Sequence, residues 1–117
     1  MIIADIVKAL KADLVTGEEF ADRDAHSACG SDLMSDVLAF VKDQTVLVTG
    51  LTNAQAIRTA LMMDIICIVL VRGKIADESM IALAKEHDIV VLQTKYTMFT
   101  ACGLLYLNGL RGEKCDI

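Results

Sequence analysis

The sequence predicts a single α/β domain built on a mainly parallel sheet with helices on both faces. Three observations predict it. From Thr45 onward, short apolar runs alternate with stretches of helical periodicity about 10 to 15 residues long, the rhythm of βα units. The runs contain no internal polar residue, as expected of strands covered on both faces and joined by right-handed crossovers. Finally, 117 residues at 55% hydrophobic but only 4% aromatic make one domain with an Ile, Val, Leu, Met and Ala core.

The elements follow in order. Ile3, Ile6, Val7 and Leu10 recur at helical spacing, and the pattern stops near Lys11. Asp13-Leu14-Val15 reads as a short strand entering the turn Thr16-Gly17, followed by an acidic stretch of Glu18, Glu19, Asp22 and Asp24 around Arg23. His26 to Asp32 is rich in small residues and predicts an irregular strand. Ser35-Asp36 resembles a helix start, with Val37, Leu38 and Val41 as its apolar face. Strands are expected at Val46–Thr49, Ile65–Val71 and Ile89–Leu92, and helices at Asn53–Asp64, Asp77–His87 and Thr97–Leu110. There is no proline, so glycines mark the boundaries, and residues 111–117 form a polar tail beyond a domain of residues 1–110.

The last helix is apolar nearly all round. Phe99, Cys102, Tyr106 and Leu110 make one stripe, and Met98, Ala101, Leu104 and Leu105 occupy other faces. Such a helix must be buried on more than one side, which a two-fold homodimer through Met98, Ala101, Leu104 and Leu105 would achieve; a groove of its own domain is the alternative.

Charge and hydropathy exclude several partners. A net charge of -5 without a Lys/Arg cluster argues against nucleic acid and anionic membranes. The apolar runs are too short to span a bilayer, and no cleavable leader pattern opens the chain, so a cytoplasmic location is expected.

Two segments are candidate ligand sites. Thr49-Gly50-Leu51-Thr52-Asn53 joins a strand end to a helix start, where backbone amides, Thr52 and Asn53 would meet an anion such as phosphate; helix capping is the commoner use of such residues. Asp22 and Arg23, close in sequence to Gly30, Ser31 and Asp32, form the second, with Arg23 gripping a phosphate or carboxylate, or else pinning its own loop. Neither nucleotide-binding glycine fingerprint is present, no nucleophile–base motif is written, and the cofactor is left unknown. Cys29, Cys67, Cys102 and Cys115 stand apart without a C-x-x-C pair; Cys67 reads as core. A metal or cluster site from Cys29, Cys102, Cys115 and His26 is the alternative, although residues three apart on a regular strand face opposite sides.

Several short segments, in order, resemble the DRTGG domain family over nearly the whole chain: Gly17-Glu18-Glu19, Asp22-Arg23, Gly30-Ser31-Asp32-Leu33, Ser35-Asp36-Val37, Val48-Thr49-Gly50 and Thr94-Lys95-Tyr96-Thr97-Met98-Phe99. Where the namesake pattern has Thr-Gly-Gly after Asp-Arg, this chain reads Asp24-Ala25-His26-Ser27-Ala28-Cys29-Gly30, so contacts needing the absent residues have no counterpart. The resemblance implies a fold like the N-terminal domain of bacterial HPr kinase/phosphatase, dimerisation, and a non-catalytic regulatory role with an adenine-nucleotide signal. It also implies service to a larger enzyme system. Free-standing relatives are associated with iron-only hydrogenases, which makes an iron–sulfur accessory protein or a docking scaffold the alternatives.

Overall fold

The computed structural model describes residues 1–40 and 43–112. Val41, expected on a helix face, and residues 113–117 of the expected tail lie outside them. Helix α1 (Ile3–Leu10) leads into strand β1 (Asp13–Thr16), and a single 3-10 turn at Glu18–Phe20 precedes β2 (Ser27–Gly30). The chain then alternates: α2 (Met34–Phe40), β3 (Thr45–Thr49), α3 (Ala54–Met62), β4 (Ile65–Leu70), α4 (Glu78–Glu86), β5 (Val90–Gln93) and α5 (Met98–Leu107).

The strands form one five-stranded sheet in the order β1-β5-β4-β3-β2. β2 to β5 are parallel, as the uninterrupted apolar runs predict, and β3 is buried along its whole length. β1 pairs with β5 antiparallel, a direction that composition does not encode. An irregularity between Leu14 and Thr16 sets Thr16 opposite Val91, where its hydroxyl donates to the Ile89 carbonyl (2.8 Å) and accepts from the Val91 amide (3.0 Å). The hydroxyl thus replaces ladder bonds that the extra residue interrupts. Gly17 follows in a left-handed turn (φ +88), and a Cβ there would lie 2.7 Å from Val90 Cγ2, so only glycine fits.

Each sheet face carries its own core. Connections β2–β3, β3–β4 and β4–β5 cross one face through α2, α3 and α4, burying Val37, Ala56, Ile57, Met80 and Ala84 against Leu47, Ile68, Leu70 and Val91. α1 and α5, which precede and follow the crossovers, cover the other face, with Ile3, Ile6, Leu10, Ala101 and Leu105 against Val46, Val48, Val69 and Leu92. Cys67 is a fully buried core residue, as expected.

α5 corrects one expectation. Ala101 and Leu105 are 0% and 1% exposed inside the chain's own core, and Met98 and Leu104 pack partly against it, so this set does not face outward. The close sheet approach that buries Ala101 turns the opposite face to the surface: Phe99 is 89% and Leu107 82% exposed, with Tyr106 beside them. Arg111, assigned to the tail, is tied back: its carbonyl accepts from Ala28 on edge strand β2 (3.1 Å) and its guanidinium stacks on Tyr106.

Candidate ligand-binding edge of the sheet

The parallel strands end together at Gly30, Thr49, Leu70 and Gln93, and the loops beyond them gather most of the sequence-selected polar residues. Gly30, Ser31 and Asp32 leave β2 beside Thr49 and Gly50, which leave β3. Asp32 Oδ1 accepts from the Gly50 amide (2.6 Å) and from the Thr49 hydroxyl (3.1 Å), while the Leu51 amide donates to Thr49 Oγ1 (3.2 Å). Asn53 caps α3 by accepting from Gln55, and the Thr52 carbonyl accepts from Asp77. The β3–α3 turn therefore does bind an anion, but that anion is the chain's own carboxylate. Ser31 closes a local turn, donating to the Leu33 carbonyl and accepting from its amide.

One charged group at this notch keeps a free end. A Cβ on Gly50 would lie 3.0 Å from Arg72 Nη2 and 3.3 Å from Asp32 Oδ1, so glycine makes room for a guanidinium beside the occupied turn. Among the described residues Arg72 has no carboxylate within ion-pair distance. Sequence reading missed it because nothing around Arg72-Gly73-Lys74 matches a phosphate-binding motif.

Asp22 and Arg23 are not part of this edge. Arg23 Nη1 donates to the Asp88 carbonyl (2.8 Å) and approaches that of Ile66 (3.5 Å), with its guanidinium over the Phe20 ring. Those carbonyls belong to the amino ends of β4 and β5, so Arg23 sits at the opposite end of the sheet from Gly30 and Asp32. Nearness in sequence misleads here because β2 runs the length of the sheet between the two groups. Asp22 is exposed at that same end.

The proposed metal ligands do not assemble into one site. Cys29 and Cys102 both line a small pocket beside edge strand β2, but Cys29 packs with the α2–α3 core and Cys102 with the α1–α5 core. His26, at the amino end of β2, pairs with Asp43 (3.0 Å) and Asp24 (3.4 Å). Cys115 lies outside the described residues, and among those described no three His, Cys, Asp or Glu side chains converge on a metal position.

A concavity lies between the exits of β4 and β5. The β4 exit turns to α4 on one face and the β5 exit to α5 on the other, and the divergence leaves a crevice outside the carboxyl ends. It encloses about 430 Å³ and is walled by the end of α1, the loop at Gly73–Ile75 and the segment Gln93–Tyr96. Its floor is fixed internally. The buried Thr94 hydroxyl donates to the Leu10 carbonyl (2.7 Å), Gln93 Oε1 accepts from Ala76, and Arg72 and Gly73 amides donate to Tyr96 and Thr94 carbonyls.

The DRTGG domain family matches residues 5–107, nearly the whole chain. The chain belongs to the DRTGG domain family. No functionally curated protein sequence matches this DRTGG domain. Its fold is similar to the crystal structure of the CBS and DRTGG domains of the regulatory region of Clostridium perfringens pyrophosphatase, complexed with the activator diadenosine tetraphosphate. That likeness has a TM-score of 0.71 at 19% identity and covers 89% of this chain but 45% of the other. The DRTGG domain thus spans less than half of that structure's chain, and the likeness establishes its fold. Among the described residues, no helix is long and apolar enough to cross a membrane.

Proposed function

We propose that this DRTGG domain is a non-catalytic regulatory module that binds a nucleotide-type ligand, acts as a homodimer, and reports the ligand to a larger enzyme system. The observation that carries the ligand half is the crevice at the carboxyl edge of the sheet, where the loops of β4 and β5 part to opposite faces. The regulatory half is supported by membership in a family whose domain also occurs in the regulatory region of the Clostridium perfringens pyrophosphatase. A non-catalytic role is supported by the commitments at the edge: Asp32 accepts from the Gly50 amide and the Thr49 hydroxyl, Thr49 also accepts from the Leu51 amide, and Ser31 and Thr94 donate to backbone carbonyls, so each of these side chains holds a loop in place. The exposed Phe99 and Leu107 on α5 support the dimer. An iron-only hydrogenase system is the first larger enzyme to examine, on the resemblance of the sequence to its free-standing relatives.

Isothermal titration of the purified chain with AMP, ADP, ATP and diadenosine tetraphosphate tests the ligand half. Saturable heat with at least one is expected. Absence of heat with all four would remove nucleotide sensing.

A further inference from the structure

We propose that the crevice between the exits of β4 and β5 holds the phosphate chain of its ligand through Lys11, Lys74 and Lys95, making oligophosphate-bearing small molecules the ligand class. The inference deepens the ligand-binding reading above and rests on it for the rest of the molecule bound. The three lysines come from separate segments, one at the end of α1 and one from each strand exit, yet all line the same 430 Å³ space. With net charge -5, the chain has carboxylates to spare, but among the described residues none lies within 4.0 Å of these ammonium groups. Three exposed cations around one crevice give it a positive excess, which an entering anion would neutralise.

The crevice contains one opposing charge, Asp13. Three cations to one carboxylate favour a multiply charged anion over a monoanion. The end of α1 would normally repel anions, since helix carbonyls carry partial negative charge. Here the carbonyls of Val7, Lys8 and Leu10 are already met by the Ala12 amide, the Lys11 amide and the Thr94 hydroxyl, and Lys11 itself sits at that terminus in a left-handed conformation. The polar groups of the floor are likewise engaged, which leaves the lysines to meet a ligand. Tyr96 and the exposed Ile75 add an apolar wall suited to a ring attached to the phosphates.

The test compares binding of inorganic tripolyphosphate and ATP by the wild-type chain, by K95Q, and by the triple variant K11Q/K74Q/K95Q, with thermal midpoints measured alongside. Tripolyphosphate is expected to bind the wild type with a steep salt dependence, about tenfold more weakly for K95Q, and not measurably for the triple variant. The midpoint of the triple variant is expected to stay level or rise, because like charges have been removed. If the triple variant does not fold, the K95Q comparison alone decides. Tripolyphosphate binding lost with the lysines, and ATP no tighter, supports the crevice and removes the nucleotide reading. ATP bound equally by wild type and variants overturns the crevice while nucleotide binding stands. Binding of neither anion by the wild type overturns the crevice.

Discussion

Thr94 joins two segments through one buried hydroxyl, donating to the carbonyl of Leu10 and accepting from the Tyr96 amide at 3.3 Å. It sets the end of α1 against the β5 exit, and with it one wall of the crevice. Thr94→Val keeps shape but leaves the Leu10 carbonyl unpartnered, so a loss of about 1–3 kcal/mol is expected, read as a lower urea midpoint at unchanged slope. Cysteine reactivity belongs to the same scale. Burial pushes the Cys67 thiol far above its usual range; it also raises Cys102 and Cys29, the latter further by the nearby Cys102 and Asp36. A raised thiol pKa means less thiolate at a given pH. In the native protein at pH about 8, Cys29 and Cys102 are expected to alkylate more slowly than free cysteine and to speed up as pH rises. Peptide mass spectrometry should find Cys67 modified only after denaturation; native labelling of Cys67 would contradict its place in the core.

At the scale of elements, α5 approaches β2 closely because Gly30 has no side chain. A Cβ at Gly30 would meet Cys102 Sγ at 2.6 Å, nearer than packed atoms come. Gly30→Ala should therefore destabilise by about 1–3 kcal/mol, and Cys102→Ala in the same chain should recover most of it. Additive effects in that double-mutant cycle would show that the two positions do not touch. α4 provides a pH-dependent case. Asp77 caps it, accepting from the Met80 amide and the Ser79 hydroxyl, both at 2.8 Å, and these bonds hold its carboxyl below the usual range. A carboxylate depressed in the folded state stabilises above its unfolded pKa of about 4, and the contribution is lost as pH falls through the lower folded value. Asp77→Asn, which retains an acceptor without the charge, should lose less stability than the wild type between pH about 5 and 2 in urea titrations. Equal acid slopes would show that this cap is not linked to protonation.

For the whole molecule, the two faces of the sheet are closed unequally. Among the described residues three crossover helices cover one face, whereas two helices, α1 and α5, cover the other, and α5 keeps Phe99 and Leu107 in solvent eight residues apart on one side. The proposed dimer would cover them. Sedimentation equilibrium at micromolar concentration is expected to give twice the 12.7 kDa chain mass for the wild type, and 12.7 kDa for F99E/L107E with its thermal midpoint nearly unchanged. A monomeric wild type would remove the dimer, and a collapse of the midpoint in the variant would assign these residues to folding instead.

The class of fold was legible in the residues themselves. Ile65 to Leu70 cannot be a half-exposed strand, because it has no polar residue to turn outward, and periodicity placed the helices within a few positions of where they lie. Asn53 also announced its cap by chemistry and position. What the sequence could not say was which segments meet. Pairing of β1 with β5, withdrawal of Arg23 to the far end of the sheet, and closure of the β3–α3 turn by Asp32 are long-range choices made by strand order. The orientation of α5 was equally hidden, since a helix apolar on every side has no preferred face until a gap such as that at Gly30 admits one of them. The lysines of the crevice come from positions 11, 74 and 95, so only a sheet that sets the end of α1 beside the exits of β4 and β5 brings them together.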